Sequence, residues 1–411
     1  MKNFGTLYGY ELKKLLKRKT LWLAVIAVTA LIVYAAWQPK DNKRGADFLL
    51  KTRDGEEISG FVSLAQQAAA PLESMRKVDG QVMDEAFFQN LREILHGSGK
   101  YIIRDRNEMR AYFYLVDNTW YAPFSQLTEG SLWAFDTAAM EQQLSMEGYY
   151  GDREETLESV WAKLPEGQAD FWREKESRVQ KPFVYRNAQG WRRFQEHTYF
   201  LYMLLPVLAA VCLCGVFSEE RRLRTDMLIL SSKRGRFPLY LAKALAGMTA
   251  LSASVLLVAA ADAVVVTCQY GWDGFDAALQ LWITFTSLPY TMGGATLRLY
   301  GLLLLYILIF GGFTMLISSA AQNTIAALIV PVLGMVMVEN IPTNAWMGNT
   351  WIGRFWPRQF YSIGPAFTET ELVPFLGGYL TNLQVGYILY GALALLLTAL
   401  CWIGWRRCAE G

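Results

Sequence analysis

Long apolar runs separated by polar segments dominate the pattern of this chain. A helix needs about 20 predominantly apolar residues to cross a hydrocarbon layer about 30 Å thick, because no water there can satisfy its backbone. Runs close to this length predict membrane-spanning helices at residues 21–37, 198–217, 239–267, 299–317, 324–338 and 385–405. The predicted fold class is an all-α polytopic membrane protein with six transmembrane helices.

The longest polar segment, residues 38–197, lies between the first two predicted spans. It holds 47 of the chain's 76 charged residues and no apolar run of spanning length. Apolar residues recur there at helical spacing, as in Leu157, Val160, Trp161 and Leu164. The pattern predicts a large, mainly helical domain outside the membrane, with short irregular or β pieces near 183–185.

Basic residues in the short connections set the predicted orientation, because Lys and Arg concentrate on the cytoplasmic side. Six precede the first span, seven flank the gap between spans two and three, and Arg406 and Arg407 follow the sixth span. A six-span arrangement places all of these on one side. We therefore expect both termini, including the tail 406–411, in the cytoplasm and residues 38–197 outside the cell.

Two other arrangements of the spans fit the sequence less well. The first span could be a cleaved signal peptide, but its apolar run is long and Ala35-Ala36-Trp37 does not fit a small-x-small cleavage site. Residues 277–289 could form a seventh span, but the run is short and would move the basic tail outside. We expect an interfacial or re-entrant helix there, within an outer loop at 268–298. A second outer loop, 339–384, is rich in aromatic residues typical of the headgroup level.

Composition adds little beyond the membrane assignment. Hydrophobic residues make up 53% of the 411 residues and charged residues 18%, and the net charge is +2. A chain this apolar is not disordered, and its charge gives no reason to expect nucleic acid as a partner. None of the five cysteines lies in residues 38–197. Since extracellular domains often carry disulfides, this absence is a hint of a bacterial, Gram-positive surface.

Enzyme motifs are lacking. Gly97-Ser98-Gly99-Lys100 has no glycine at Ile94 and no Ser or Thr at Tyr101, so it does not fit a phosphate-binding loop. Glu93-x-x-His96 has no second copy, and Cys212-x-Cys214 has no further ligands of the kind that zinc needs. We therefore predict no catalytic site, no metal and no cofactor.

Two cytoplasmic segments carry functional patterns. Residues 1–20 predict an amphipathic helix in the headgroup layer, where it would contact membrane lipid through Lys13, Lys14, Lys17 and Arg18. Residues 218–238 place an apolar patch between two basic clusters, and such a patch either binds a partner or folds back on the bundle or the lipid.

The third predicted span contains candidate residues for a transport path and for helix packing. Asp262 is a carboxylate within an apolar run, which either marks a transport path or pairs with a neighbouring helix. Ala246, Ala250 and Ser254 form a stripe of small residues that lets another helix approach closely.

These features together resemble the membrane subunits of ABC-2 type transporters. The resemblance lies in the basic helix before span one, the large outer domain, Glu219-Glu220 at the end of span two, and the run from Leu228 to Arg236 followed by Ala242-Lys243. It implies a permease, most often an exporter in a bacterial plasma membrane, that works with a second permease subunit in a homodimer or heterodimer. It also implies a cytoplasmic ABC ATPase subunit that binds the ATP. The ATPase-coupling residues it implies here are Glu219, Glu220, Arg221, Arg222, Arg224, Asp226, Leu228, Lys233 and Arg236.

The sequence leaves one rival function open. A membrane receptor or assembly scaffold that transports nothing would also place a large, ligand-binding domain outside the cell. An intramembrane enzyme is the weaker third possibility, because Asp262 and Glu339 are the only carboxylates within or at the ends of predicted spans three to six.

Overall fold

The computed structural model describes residues 4–37, 44–103, 106–116, 119–127, 137–223, 237–321, 323–340, 351–361 and 363–410. These residues are mostly helical. They separate into two compact units, which are treated one at a time. The long-helix unit comprises Met1–Ala36, Phe194–Val266 and Thr296–Gly411, and the insertion unit comprises Trp37–Arg193 and Thr267–Ala295.

The long helices follow the apolar runs of the sequence. Helices are numbered in chain order. Those at or beside the predicted spans are α1 (Phe4–Leu16), α2 (Lys19–Ala36), α10 (Gln189–Leu213), α11 (Gly215–Arg222), α12 (Phe237–Tyr270), α13 (Met292–Ala320), α14 (Thr324–Asn340) and α17 (Asn382–Glu410). Within the described residues, five helical stretches are long and apolar enough to span a membrane. They are Lys19–Ala36, Gln189–Glu220, Phe237–Tyr270, Met292–Ala320 and Asn382–Arg406.

The fifth predicted span is the exception. Residues 324–338 do form an apolar helix, α14, but it has only 17 residues and contains Pro331. At 1.5 Å per residue it is about 25 Å long, shorter than a hydrocarbon layer of about 30 Å. Five candidate spans are therefore found, and the count of six stays a prediction.

The insertion unit is built from short helices around a small sheet. Its helices are α3 (Leu64–Lys77), α4 (Glu85–Ser98), α5 (Arg106–Leu115), α6 (Tyr121–Leu127), α7 (Thr137–Gln143), α8 (Met146–Trp161) and α9 (Glu166–Glu176). Aromatic residues fill much of its core, and Phe88, Phe113, Phe124, Phe183 and Tyr185 are almost fully buried.

The sheet of the insertion unit was not predicted. Strands β1 (Gly45–Thr52) and β2 (Glu57–Ser63) form an antiparallel hairpin, and β3 (Tyr101–Ile102) pairs with the other edge of β1. Asp54-Gly55, a strong hairpin signal, lies in the turn, where Gly55 has a φ of +91° that glycine adopts without steric cost. The expected β piece near 183–185 is a single bridge between Val82 and Val184.

Residues 277–289, where a short interfacial or re-entrant helix is expected, belong to the insertion unit. They contain one turn of 3-10 helix, Leu279–Leu281, in the insertion unit, where Leu279, Gln280 and Leu281 are buried. Gln280 donates to the carbonyl oxygens of Thr286 and Leu288 at 3.3 and 2.9 Å, which fixes a compact loop. The placement of this run at a membrane interface stays a prediction.

Residues 339–384, the second predicted outer loop, form several short elements in their described part. These are α15 (Trp351–Arg354), a 3-10 turn (Pro357–Phe360), α16 (Ile363–Thr368) and the hairpin of β4 (Val373–Phe375) and β5 (Gly378–Leu380). Phe355, Phe360 and Tyr361 are buried in the long-helix unit. These aromatic side chains therefore contribute to its core.

Candidate functional site

The first candidate site is a network of charged side chains in the long-helix unit, built from α1, α11 and α12. The α1 helix presents Leu15 and Glu11 to the interior, and both are buried. Glu11 is the only acidic residue among residues 1–20. A carboxylate buried in this way requires a charged or hydrogen-bonding partner.

Lys243 of α12 is that partner. Its side chain is 1% exposed, and its Nζ lies 3.1 Å from Glu11 Oε2 and 2.6 Å from Glu220 Oε1. The ammonium also donates to the carbonyl oxygen of Val216 at 3.5 Å. One buried cation is thus held between two carboxylates from two different helices.

A second, more exposed layer of charges surrounds this triad. Lys14 Nζ lies 3.7 Å from Glu219 Oε2 and 4.0 Å from Glu220 Oε1. Arg18 also pairs with Glu219 and donates to the carbonyl oxygen of Gly215 at 3.0 Å. A Cβ atom at Gly215 would lie 2.8 Å from Arg18 Nη1, so glycine there gives the guanidinium its space.

The network holds both ends of the predicted coupling loop to α1. The loop lies between α11, which ends at Arg222, and α12, which begins at Phe237. Of the predicted coupling residues, Glu219 and Glu220 enter the network and Arg222 is exposed. Arg224, Asp226, Leu228, Lys233 and Arg236 lie outside the described residues, as does the side chain of Arg221.

The predicted interfacial helix divides its basic residues between two environments. Lys14 and Arg18 face the glutamates of α11, whereas Lys13 and Lys17 are exposed. Sequence reasoning missed Glu11 and the central role of Lys243. Both had a signal: Glu11 is the one acidic residue among the six basic residues of 1–20, and Lys243 is a lone charge near the start of an apolar run, which in a packed helix implies a buried partner.

Asp262 forms a second polar cluster in the long-helix unit. The carboxylate is fully buried, and its Oδ1 lies 2.8 Å from His197 Nδ1 of α10. Tyr300 of α13 lies with its hydroxyl oxygen 3.3 Å from both Asp262 Oδ2 and the carbonyl oxygen of Phe194. Of the two roles proposed for Asp262, this geometry favours pairing with neighbouring helices over marking a transport path.

The small residues of α12 are buried beside these clusters. Ala246, Ala250 and Ser254 are 0%, 1% and 6% exposed. A Cβ atom at the neighbouring Gly247 would lie 2.9 Å from a methyl group of Leu213, so α12 approaches α10 closely here. Close backbone approach of this kind is how small residues stabilise helix pairs in membranes.

The insertion unit has a charged contact of its own. Arg153 of α8 is fully buried and forms a two-pronged ion pair with Glu176 of α9. The same guanidinium donates to the carbonyl oxygens of Thr284 and Thr286 at 2.7 and 2.8 Å. Burial raises the pKa of Glu176, but the hydrogen bonds and charges of Arg153 and Lys181 lower it more, so this pKa lies below its usual value.

Metal chemistry has no site in the described residues. His, Cys, Asp and Glu side chains form no group of three or more there that could bind a metal ion. Cys212 and Cys214 are buried thiols in the long-helix unit, and His96 lies 3.3 Å from Glu141 on an exposed surface of the insertion unit. The charged contacts described above join α1 to α11 and α12, α10 and α13 to α12, and α8 to α9.

Comparison with known proteins agrees with this architecture. Residues 6–349 match a family model described as ABC-2 family transporter protein. Neither a comparison with curated proteins nor one with solved structures gave a match. The matched range includes both charged networks of the long-helix unit and the insertion unit. The chain therefore belongs to the ABC-2 family of transporter proteins and is a multi-pass membrane permease of that family.

Proposed function

We propose that this chain is the membrane subunit of an ABC-2 exporter whose ATP is hydrolysed by a separate cytoplasmic ATPase subunit. The family match and the charged network of α1, α11 and α12 support the proposal. In this arrangement both termini and residues 218–238 lie in the cytoplasm of a bacterial cell. A second permease subunit, identical or different, completes the transport path.

The observation that carries the proposal is the buried Lys243 between Glu11 and Glu220. It connects α1 to both helices that bracket the coupling loop, with contacts of 3.1 and 2.6 Å. A force applied to the loop by a docked ATPase would reach α1, α11 and α12 together, since moving one alone would break a buried ion pair. Breaking such a pair costs about 3–5 kcal/mol.

The mechanism follows from this connection. ATP binds more tightly to the closed arrangement of the ATPase pair than to the open one. This difference in affinity shifts the permease from one of its two states to the other. The closed ATPase pair moves the coupling loop, and the network carries that movement to α12 and α1. The permease side chains then transmit force and do no chemistry on ATP.

Charge reversal at Glu219 tests the coupling role. Its side chain is 27% exposed and pairs with Lys14 and Arg18, so Glu219→Lys should fold but lose these pairs. We expect the reconstituted complex to lose stimulation of ATPase activity by the permease. Combining Glu219→Lys with Lys14→Glu and Arg18→Glu should restore part of the stimulation.

A matched control is Glu174→Lys, which reverses an exposed glutamate of the insertion unit. This variant should leave ATPase stimulation unchanged. Full stimulation in Glu219→Lys, with normal membrane insertion, would contradict the assignment of this network to coupling.

The rival function, a membrane receptor or scaffold, is separated from transport by purification from the native membrane. A transporter should bring down a P-loop ATPase, whereas a receptor should bring down a kinase or a cell-wall enzyme.

A further inference from the structure

The second candidate span, Gln189–Glu220, is interrupted near the coupling loop. Its first helix, α10, ends at Leu213 and α11 begins at Gly215, so the two helices meet at Cys214. In an uninterrupted helix the N–H of Ser218 would bond directly to the carbonyl oxygen of Cys214, four residues earlier. An interruption within a spanning helix requires other partners for these backbone groups, because the hydrocarbon layer contains no water.

Ser318 of α13 provides those partners. Its hydroxyl oxygen accepts from the N–H groups of Phe217 and Ser218, at 3.2 and 3.1 Å. The same hydroxyl donates to the carbonyl oxygen of Cys214 at 2.7 Å. The fully buried Ser318 side chain is therefore inserted between the N–H and the C=O that a continuous helix would join. A side chain inserted in this way is a physical cause of a change in helix direction.

The cap of α11 comes from another helix. Cys214 stands at the position where an oxygen of Ser, Thr, Asp or Asn usually caps a helix. Its thiol lies 3.5 Å from the carbonyl oxygen of Val211, back in α10. Ser218 adds a second hydroxyl, which donates to the carbonyl oxygen of Cys214 at 2.6 Å. The oxygen that accepts from the first turn of α11 belongs to Ser318, so the start of α11 is fixed to α13.

The direction of α11 decides where the glutamates of the network lie. Glu219 and Glu220 follow directly on Ser218, and Glu220 Oε1 lies 2.6 Å from Nζ of the buried Lys243. The α11 helix has 8 residues. At 1.5 Å per residue, a change of about 20° at its start moves its second half by about 2–4 Å. A shift of this size is enough to break the contact between Glu220 and Lys243.

We propose that Ser318 is a positioning residue of the coupling step. Its hydroxyl sets the direction of α11 at the Cys214–Gly215 junction, and α11 turns there when the ATPase moves the coupling loop. Leu208, Ala209 and Ala210 of α10 are fully buried, so α10 stays in place while α11 turns. This inference rests on the proposed function and adds to it the point about which the movement takes place.

The first experiment measures the direction of α11 in the permease alone. Spin labels are attached to genetically encoded amino acids at Leu223, just beyond α11, and at Leu395 of α17, both of which are exposed, and the full chain is placed in lipid nanodiscs. Ser318→Ala removes the inserted hydroxyl and should shift the distance between the labels by about 2–4 Å. The matched control is Thr314→Val, which removes a buried hydroxyl that donates to Phe310 within α13, and it should leave the distance unchanged.

The second experiment measures stimulation of ATPase activity in the reconstituted complex. Ser318→Ala should lower the maximal rate at least about threefold, because an inserted hydrogen-bonding group is lost. It should leave KM for ATP unchanged, because ATP binds to the partner subunit. Ser318→Thr keeps a hydroxyl and should retain most of the stimulation, whereas Thr314→Val should behave like the unmodified chain. Combining Ser318→Ala with Glu220→Gln should lower the rate no further than the more damaging single change, because both act on the same ion pair.

Four results would overturn the proposal. They are an unchanged label distance in Ser318→Ala, an unchanged maximal rate in that variant, equal losses in Ser318→Ala and Ser318→Thr, and additive losses in the double variant. If the unmodified complex shows no stimulation, the proposed function fails and the coupling role of Ser318 fails with it. A shifted label distance would in that case still show that Ser318 sets the direction of α11.

Discussion

Replacing Lys243 by methionine is the sharpest perturbation of the charged network. Methionine keeps the length of the side chain but removes the ammonium. Two carboxylates, Glu11 and Glu220, would then face each other with side chains only 10% and 7% exposed.

The magnitude follows from burial. Removing one partner from a buried ion pair leaves an uncompensated charge and costs about 3–5 kcal/mol. The matched variant Lys14→Met removes a cation whose side chain is 34% exposed and whose contacts are 3.7 and 4.0 Å. Exposed pairs contribute about 0–1 kcal/mol, so this variant should stay close to the unmodified chain.

The assay is thermal unfolding of the full chain in nanodiscs, followed by intrinsic fluorescence. Lys243→Met should unfold at a clearly lower temperature than Lys14→Met. Adding Glu11→Gln and Glu220→Gln to Lys243→Met should recover much of the loss, because neutral amides remove the repulsion. Equal unfolding temperatures for the two lysine variants would refute the reasoning.

Three further predictions concern the insertion unit. Arg153→Met should lower the free energy of local opening of α8 by about 3–5 kcal/mol, because it leaves Glu176 and two carbonyl oxygens without their buried donor. Arg173→Met removes a cation from an exposed pair and should lower the same free energy by at most about 1 kcal/mol. Amide hydrogen exchange of α8 distinguishes the two variants. Gly190→Ala would place a Cβ atom 2.4 Å from the carbonyl oxygen of Gly271 and should destabilise the insertion unit by about 1–3 kcal/mol. Gly151→Ala adds a methyl group in open space and should leave the stability unchanged. Similar melting temperatures for the two variants would contradict this packing argument. The pKa of Glu176 is lower in the folded protein than in the unfolded chain. The ionised carboxylate therefore contributes its full stabilisation above the usual glutamate pKa of about 4.3, and this stabilisation is lost as pH falls through the folded pKa. Glu176→Gln should flatten the acid dependence of stability in urea titrations, and an unchanged pH profile would contradict this prediction.

Apolar runs predicted the five long helices that could span a membrane, because a run of some 20 apolar residues has few stable alternatives in lipid. Apolar spacing also predicted α1, which ends at Leu16. Helical spacing does not reveal the β1–β2 hairpin, although Asp54-Gly55 marks its turn, because the apolar residues of the rest of that domain recur at helical intervals. The apolar run at 277–289 was assigned to the membrane interface, since sequence alone does not show which surface buries it.

The sequence by itself determined which segments avoid water and which carry charge, since hydrophobicity and net charge are local properties of the residues. It could also mark Glu219, Glu220 and Asp262 as charges placed beside or within apolar runs. Only the tertiary structure decided their partners. Glu11 and Lys243 are 232 positions apart in the chain, and His197 and Asp262 are 65 apart. Ion pairing depends on distances between side chains of separate helices, and those distances exist only after the helices have packed.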